Sequence, residues 1–314
     1  MSPSTSAPAS RIVFIIHGRH CPDGLPQQLL QPFRDQFSVD VLLTTSATSA
    51  TRLAREAALS GARWVIAVGG DGTVHEVVNG LMSVPAAQRQ QLVLGVLPSG
   101  TGNDFVRTLG SGRHSDDLLA LIAAGHAYPL DLIRVTTRGS DGQPQVRWCN
   151  NIASLGISSD IVRRVKRLPA WLPASAAFSS AVLAALLRFR PRPMRLTLDG
   201  ETISGRFLCL SVANGRYFGS GLGIAPQASV NDGLFELVLI RDGNGLDFLR
   251  LLPQLRAAQP LRDPRVRYLR GRQLQVDGAA ADCPLELDGE LCGSAPVSFE
   301  LVPAALQCLM LPPG

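Results

Sequence analysis

The amino-acid sequence predicts two domains, an α/β domain built on a parallel sheet followed by a mainly antiparallel β-sandwich. In residues 11–126, continuous apolar segments alternate with segments of helical periodicity, which is typical of a parallel sheet covered on both faces. In residues 127–302, short segments rich in valine, leucine and isoleucine are separated by glycine, aspartate and asparagine, which is typical of a sandwich or barrel. Residues 1–10 are expected to form a disordered tail.

The elements of the first domain follow from this alternation. Pro32 is a candidate break in the first helix. Ser49 is the expected N-cap of the second helix, and Gly61 is its expected stop. Apolar runs predict strands at residues 11–16, 39–44, 63–68 and 92–98, and helical spacing predicts helices at 25–37, 49–61 and 73–82.

The second domain combines strand segments with one insert, residues 158–190. The insert has basic ends and an apolar middle, and Trp171 and Phe178 suit a lipid interface. A core helix with solvated flanks explains the same pattern, so both interpretations stay open. Strands are expected within residues 128–137, 146–156, 194–200, 203–215, 234–243, 273–278 and 295–302.

Composition narrows the class of protein. The 314 residues are 46% hydrophobic, enough for a substantial core, and carry a net charge of +5 that suits anionic partners such as membrane surfaces or phosphorylated ligands. Aromatic residues make up only 5%, which argues against a base-stacking platform, so no nucleic-acid partner is expected. The six cysteines form no C-x-x-C pair and are expected to be reduced and buried. Because the sequence shows neither a signal peptide nor a spanning apolar run, a cytoplasmic protein is expected.

A glycine-rich turn, GGDGT at residues 69–73, follows the third strand, at the strand end where α/β sheets bind ligands. We expect the amides of Gly72, Thr73 and Val74 to open a helix and donate to a phosphate, in place of the lysine of a P-loop. A carboxylate beside a phosphate needs a cation between them, so Asp71 is expected to hold Mg²⁺. The alternative is a tight turn in which Asp71 caps a helix.

A second turn, GTGND at residues 100–104, repeats this design after the fourth strand, with a helix expected to begin near Asn103. Successive strand ends of a parallel sheet share one edge, so the two turns could hold one nucleotide from two sides. Neither turn matches the P-loop or dinucleotide-binding patterns, and no lysine stands in the context that protein kinases use.

The second domain contains carboxylates that could carry chemistry. Asp288 and Glu290 end the segment LELDGE at residues 285–290, where either could accept the proton of an alcohol during phosphoryl transfer. Asp232 lies in a turn among backbone carbonyls that suits a hard cation. Ordinary exposed turns are the alternative explanation for both segments.

The motifs together resemble the diacylglycerol/sphingosine lipid kinase family, in particular the bacterial soluble lipid kinases. The matching segments, in family order, are VGGDGTVHEVVNGL (68–81), LPSGTGNDFVR (97–107), NDGLFEL (231–237), LDGE (287–290) and VPAAL (302–306). The resemblance implies a nucleotide-binding domain at 11–126, a lipid-substrate sandwich at 127–302 and a segment at 303–314 that packs back on the first domain.

The resemblance also implies site residues. The nucleotide contacts fall on Thr44, Gly70, Asp71, Gly72, Thr73, Val74, His75, Glu76 and Thr101. A Mg²⁺ or Ca²⁺ site falls on Asp232 with the carbonyls of Ser229 and Leu234, and the proton acceptor falls on Glu290 with Asp288 beside it. The first loop, residues 16–19, departs from the family pattern, and Arg19 could reach a phosphate there.

The sequence therefore predicts an ATP- and Mg²⁺-dependent kinase that phosphorylates a diacylglycerol-like, sphingoid or phosphatidylglycerol-like hydroxyl in phospholipid biosynthesis. Such an enzyme would be cytoplasmic and transiently associated with a membrane surface, and the sequence allows a homodimer. Two alternatives stay open: a kinase for a soluble acceptor such as a nucleotide cofactor or sugar phosphate, and a non-catalytic nucleotide-binding regulator.

Overall fold

The computed structural model describes residues 10–18, 27–139, 141–169, 174–277 and 283–312. The chain divides into two compact units: unit 1 comprises Met1–Leu130 and Ala304–Gly314, and unit 2 comprises Asp131–Pro303. The predicted fold class is confirmed, since unit 1 contains a parallel sheet with helices and unit 2 contains mainly antiparallel strands.

Unit 1 is an α/β fold with a parallel sheet. Its strand order is β2 (Ser38–Leu43), β1 (Arg11–Ile16), β3 (Trp64–Gly69), β4 (Val93–Pro98) and the end of β17 (Val297–Leu309). The fifth position is filled by the chain end, where Gln307 and Cys308 pair with Val93 and Leu94. The other elements are α1 (Gln27–Arg34), α2 (Ser49–Leu59), α3 (Asp71–Met82), α4 (Ala86–Arg89), α5 (Asp104–Leu109), α6 (Ser115–Ala123) and the start of β5 (Ala127–Arg138), whose residues from Asp131 onward belong to unit 2.

Two local expectations for unit 1 need correction. Pro32 does not break the first helix, which continues to Arg34. Phe33 is fully buried edge-on against Phe14, with ring centroids 5.0 Å apart, and this packing stabilises the turn that contains the proline. Ser49 is the first residue of α2 rather than its N-cap, because its hydroxyl accepts hydrogen bonds from the preceding amides of Thr45 and Ser46.

Helices α2 and α3 touch at a glycine. A Cβ on Gly80 would lie 2.3 Å from the Thr51 carbonyl oxygen and 2.7 Å from the Ala54 Cβ. Gly80→Ala is therefore expected to lower the free energy of unfolding by about 1–3 kcal/mol through overpacking, in spite of alanine's better helix propensity. Urea unfolding measures this change. The exposed variant Arg55→Ala is the control and is expected to change stability by less than about 0.5 kcal/mol; equal effects of the two variants would contradict the packing.

Unit 2 is a sandwich organised around the long strand β9. The first half of β9 pairs with β8, and its second half pairs with β7 and β12. The elements are β6 (Pro144–Cys149), β7 (Ile152–Gly156), α7 (Ile157–Arg167), α8 (Ala174–Arg188), β8 (Arg192–Leu198), β9 (Glu201–Ala213), β10 (Tyr217–Phe218), β11 (Leu222–Gly223), β12 (Phe235–Arg241), α9 (Gly245–Arg256), β13 (Val266–Gly271), β14 (Gln273–Asp277), β15 (Pro284–Leu287), β16 (Glu290–Ser294) and β17 (Val297–Leu309).

The insert between β7 and β8 forms the two helices α7 and α8. On α8, Ala181 and Ala185 are buried in a core cluster, whereas Leu183 and Leu187 are 59% and 60% exposed. Trp171 and the side chain of Phe178 lie outside the residues that the structure describes. Within the described ranges, no helix has both the length and the apolar character that crossing a bilayer requires.

Candidate functional site

The turn after β3 is closed by main-chain hydrogen bonds. Gly70 is the N-cap of α3 and is extended, with φ −91° and ψ −173°. The amides of Thr73 and Val74 both donate to the Gly70 carbonyl oxygen, at 3.0 and 3.2 Å, so the expectation that they point at a phosphate is corrected. The helix starts two residues earlier than its apolar spacing indicates. The amides of Asp71 and Gly72 therefore lead the helix, at the positive end of its dipole.

The turn after β4 lies directly against this first turn. A Cβ on Gly100 would be 2.5 Å from the Gly70 Cα, so two glycine backbones make the contact. The Ser99 amide also donates to the Gly69 carbonyl oxygen at 3.0 Å. The two turns consequently form one continuous backbone surface at the carboxyl edge of the parallel sheet.

The Asp71 side chain connects the first turn to the helix that follows the second turn. Its Oδ1 accepts a hydrogen bond from the Phe105 amide, 3.1 Å away in the first turn of α5. Asp71 therefore does cap a helix, as the alternative interpretation of the turn expected. The helix that it caps is α5, whereas Asp71 itself lies in α3. Asn103, in the left-handed region at φ 52°, donates from Nδ2 to the Gly100 carbonyl oxygen at 2.7 Å and closes the turn.

Thr44 and Thr101 reach the same edge of the sheet. Thr44 follows β2, and its Oγ1 accepts a hydrogen bond from the Gly18 amide after β1, at 3.1 Å. Thr101 is exposed and directly follows Gly100. Unit 1 therefore places Thr44, the turn at 69–73 and Thr101 at the ends of neighbouring parallel strands. Arg19, the other residue suggested for a phosphate, lies outside the described residues.

His75 and Glu76 face structural partners. His75 is buried within α3, with the Asn79 Nδ2 atom 3.4 Å from its Nε2. The Glu76 carboxylate accepts hydrogen bonds from the amides of Thr48 and Ala50, each 3.1 Å away, and so caps the N-terminus of α2. A direct nucleotide contact by either residue stays a prediction, whereas the capping contact is a feature of the fold.

Glu76→Ala is expected to lower the free energy of unfolding by about 1–3 kcal/mol, because it leaves two amides at the start of α2 without their charged acceptor. Glu76→Gln keeps one acceptor oxygen and should cost less. Urea unfolding compares the two variants. A Glu76→Ala protein of unchanged stability but weaker ATP affinity would instead make Glu76 a nucleotide ligand.

In unit 2, Asp288 is held at the turn between β15 and β16. It is only 8% exposed and adopts φ 51°, a left-handed conformation that costs energy for a non-glycine residue and clusters at functional sites. Its Oδ1 accepts hydrogen bonds from the amides of Asn151 (3.0 Å) and Ile152 (3.1 Å) and from the thiol of Cys149 (3.1 Å). Its Oδ2 accepts one from the Asn150 amide at 3.2 Å. The carboxylate is therefore fixed in one orientation.

The surroundings of this turn are also fixed. Asn214 donates from Nδ2 to the Asn150 carbonyl oxygen at 2.9 Å and to the Asp131 carbonyl oxygen at 2.8 Å. Glu286 accepts from the Gly289 amide at 3.0 Å and from the Ser154 hydroxyl. These contacts hold the segment that surrounds Asp288 from the side of β9 and from the side of β15.

Glu290 has a different environment. Its side chain is 47% exposed and forms an ion pair with Lys166 of α7. An exposed, ion-paired carboxylate is poorly suited to accept a proton at a defined position, because water and the ammonium group both compete for it. Of the two carboxylates left open by the sequence, Asp288 is the one whose orientation is fixed, and which of them accepts a proton stays a prediction.

The side chain of Asp232 already has protein partners. Asp232 forms an ion pair with Arg270 through Oδ2, and its Oδ1 accepts from the Leu234 amide at 3.1 Å. The Ser229 hydroxyl donates to the Asn231 side chain at 2.9 Å. Across the described ranges, no group of three histidine, cysteine or acidic side chains could hold a metal ion. Cation binding by Asp232 with the carbonyls of Ser229 and Leu234 stays a prediction.

Sequence reasoning missed the partners of Asp288. The asparagines at 150 and 151 follow Cys149 in the middle of a segment that the sequence predicts as one strand over 146–156. The structure divides it into β6 and β7. Two polar residues in mid-strand were the available signal, since buried polar groups need a partner.

Comparison with known proteins places this geometry in context. Residues 14–135 match the diacylglycerol kinase catalytic domain, and residues 151–310 match the YegS C-terminal NAD kinase beta sandwich-like domain. The chain is 31% identical to "Diacylglycerol kinase" of Bacillus subtilis over 87% of this chain and 86% of that protein. It is 34% identical to "Probable lipid kinase YegS-like" of Chromohalobacter salexigens over 87% and 84%. A diacylglycerol kinase structure from Bacillus anthracis str. Sterne superposes with a TM-score of 0.68 and 19% identity, covering 97% of each chain, and supports the fold.

Proposed function

Because this chain belongs to the bacterial diacylglycerol kinase and YegS-type lipid kinase family, and is thus a lipid kinase, we propose that it transfers the γ-phosphoryl group of ATP to a lipid hydroxyl. The observation that carries the proposal is the contact of two glycine turns in unit 1, which offers a phosphate main-chain amides at a helix N-terminus. The fixed carboxylate in unit 2 supplies the second chemical requirement, a proton acceptor.

The nucleotide would bind to unit 1. The Asp71 and Gly72 amides, at the positive end of α3, would donate to the phosphates, and Thr101 and Thr44 would line the same edge. Asp71 would hold the Mg²⁺ that accompanies ATP, and this ion would neutralise part of the phosphate charge. A lysine is not needed for this arrangement, since backbone donors and the helix dipole already favour an anion.

The proton would pass to Asp288. The lipid hydroxyl oxygen forms a bond to the γ-phosphorus while the bond from that phosphorus to the bridging oxygen of ADP breaks, and ADP leaves with the electron pair. The hydroxyl proton moves to the Asp288 carboxylate, whose orientation is set by the amides of Asn150, Asn151 and Ile152. Positioning and charge stabilisation then account for most of the catalysis.

The lipid would be reached from a membrane surface, and α8 offers the contact. Leu183 and Leu187 are exposed on that helix, one turn apart, and Arg188 follows them. The basic residues of α7 contribute less than the sequence suggests, because Arg163 and Arg164 pair with Asp160 and Lys166 pairs with Glu290. Apolar insertion with a few flanking arginines fits a transient association.

Leu183→Ser combined with Leu187→Ser is expected to weaken binding to phosphatidylglycerol-containing vesicles by about tenfold or more, since two exposed apolar side chains lose their burial in lipid. Vesicle co-sedimentation measures the binding. Leu249→Ser, which changes an exposed leucine on α9, is the matched control and should bind normally. Equal vesicle binding by the double variant and the control would contradict the proposed contact between α8 and the membrane.

The function itself is tested by incubating the protein with γ-labelled ATP, Mg²⁺ and a total lipid extract, followed by identification of the labelled product by mass. A phosphorylated lipid is expected. Label that appears only in a water-soluble acceptor would identify a kinase of soluble substrates. ATP binding without any label transfer would identify a nucleotide-binding regulator.

A further inference from the structure

Cys149 lies beside the candidate proton acceptor. It ends β6, is fully buried, and places its Sγ 3.1 Å from the Asp288 Oδ1. Cys209 is equally buried in unit 2, but its sulfur contacts the hydroxyls of Ser158 and Ser211, each 3.5 Å away. The contact with the carboxylate therefore reflects the position of Cys149 and is not a general property of buried cysteines.

The Cys149 sulfur is a donor. Burial, and then the neighbouring Asp288 carboxylate, raise the pKa of the Cys149 thiol well above its usual range. The sulfur thus keeps its proton at neutral pH and directs it towards Oδ1, whereas a thiolate there would repel the carboxylate. A thiol is a weak donor in water, but a hydrogen bond to a charged acceptor is stronger in a buried site.

We propose that Cys149 is a positioning residue for phosphoryl transfer: its thiol donates the hydrogen bond that holds the Asp288 carboxylate in the orientation in which it accepts the hydroxyl proton. This role rests on the proposed function. The amides of Asn151 and Ile152 bind the same oxygen from the main chain, and the thiol approaches it from a side chain. Oδ1 is thereby anchored by three donors, which restricts rotation of the carboxylate about its Cβ–Cγ bond.

Cys149 also belongs to an apolar core cluster, so its substitution removes a packing contact as well as the hydrogen bond to Asp288. Steady-state kinetics of matched variants separate these two effects. Cys149→Ala is expected to lower kcat about tenfold, the scale of one hydrogen bond to a charged group, with an unchanged KM for ATP. Cys149→Ser restores a donor and should recover kcat to within about threefold of the natural protein. Cys209→Ala removes the same atoms from another core cluster of unit 2 and is the control, with unchanged kcat.

Infrared spectroscopy tests the contact without any turnover. The difference spectrum between the natural protein and Cys149→Ser assigns the S–H stretching band of Cys149. In Asp288→Asn this band should move to higher frequency, because a neutral amide oxygen is a weaker acceptor than a carboxylate. This measurement also decides the matter if Cys149→Ala does not fold.

The outcomes are distinct. An S–H band that is the same in the natural protein and in Asp288→Asn would overturn the proposal, as would equal kcat values for Cys149→Ala and Cys209→Ala. Failure of Cys149→Ser to recover kcat, in a protein of normal stability, would also count against it. If the natural protein phosphorylates no lipid, the proposed function fails instead, and the S–H band alone then shows whether the thiol holds Asp288.

Discussion

Asp288→Asn is expected to lose lipid phosphorylation by about 10²–10⁴-fold while binding ATP with unchanged affinity. The substitution removes the proton acceptor but changes the shape of the side chain very little. Asparagine also tolerates the left-handed backbone, here φ 51°, better than most residues, so the turn should remain folded. Its amide oxygen can still accept from the backbone amides of Asn151 and Ile152. Label transfer from ATP to lipid and calorimetric ATP binding measure the two effects separately.

Glu290→Gln is the matched control for this prediction. It neutralises the neighbouring carboxylate, which is half-exposed and paired with Lys166, and it should change turnover by less than about threefold. The double variant should resemble Asp288→Asn alone. A large loss in Glu290→Gln together with a nearly active Asp288→Asn would reverse the assignment of the base.

Gly100→Ala is expected to weaken ATP binding by about tenfold or more. The substitution displaces the two turns from each other, and this displacement costs on the order of 1–3 kcal/mol. The new Cβ would lie 2.5 Å from the Gly70 Cα and 3.1 Å from the Gly70 nitrogen, so the two turns must separate. Main-chain atoms cannot rotate away as a side chain can. Isothermal calorimetry gives the affinity, and the melting temperature should fall as well.

Gly70→Ala is the comparison variant, because Gly70 is the partner of Gly100 in the contact between the two turns. Its Cβ would be 3.4 Å from the Gly100 Cα, an ordinary van der Waals distance, and its backbone angles suit any residue. The melting temperature should therefore stay close to that of the natural protein. Normal ATP affinity in Gly100→Ala would show that the phosphates do not depend on this contact.

Much of unit 1 can be predicted from the sequence because its signals are local. Strands β1, β3 and β4 are buried on both faces and appear as continuous apolar runs, and the turn at 69–73 carries its own glycines. Long-range contacts are not visible in this way. Glu76 caps a helix that begins 27 residues earlier, and Asp71 reaches a helix 33 residues later; no spacing rule links these positions.

The site in unit 2 shows the same limit. The motif at 287–290 can be found, but which carboxylate is fixed depends on strands far away in sequence. The Asn151 and Ile152 amides meet Asp288 because β7 pairs with β15, in the register of Ala153 with Leu287. Likewise, the ion pair between Asp232 and Arg270 arises from the pairing of β12 with β13, and a motif at 231–237 gives no sign of it.

A crystal structure of the protein with ADP and Mg²⁺ tests most directly whether the two glycine turns bind the phosphates. We expect the diphosphate to lie within hydrogen-bonding distance of the main-chain amides of Asp71 and Gly72, beside Gly100 and Thr101. A diphosphate bound elsewhere, or held mainly by arginine side chains and not by these amides, would contradict this expectation.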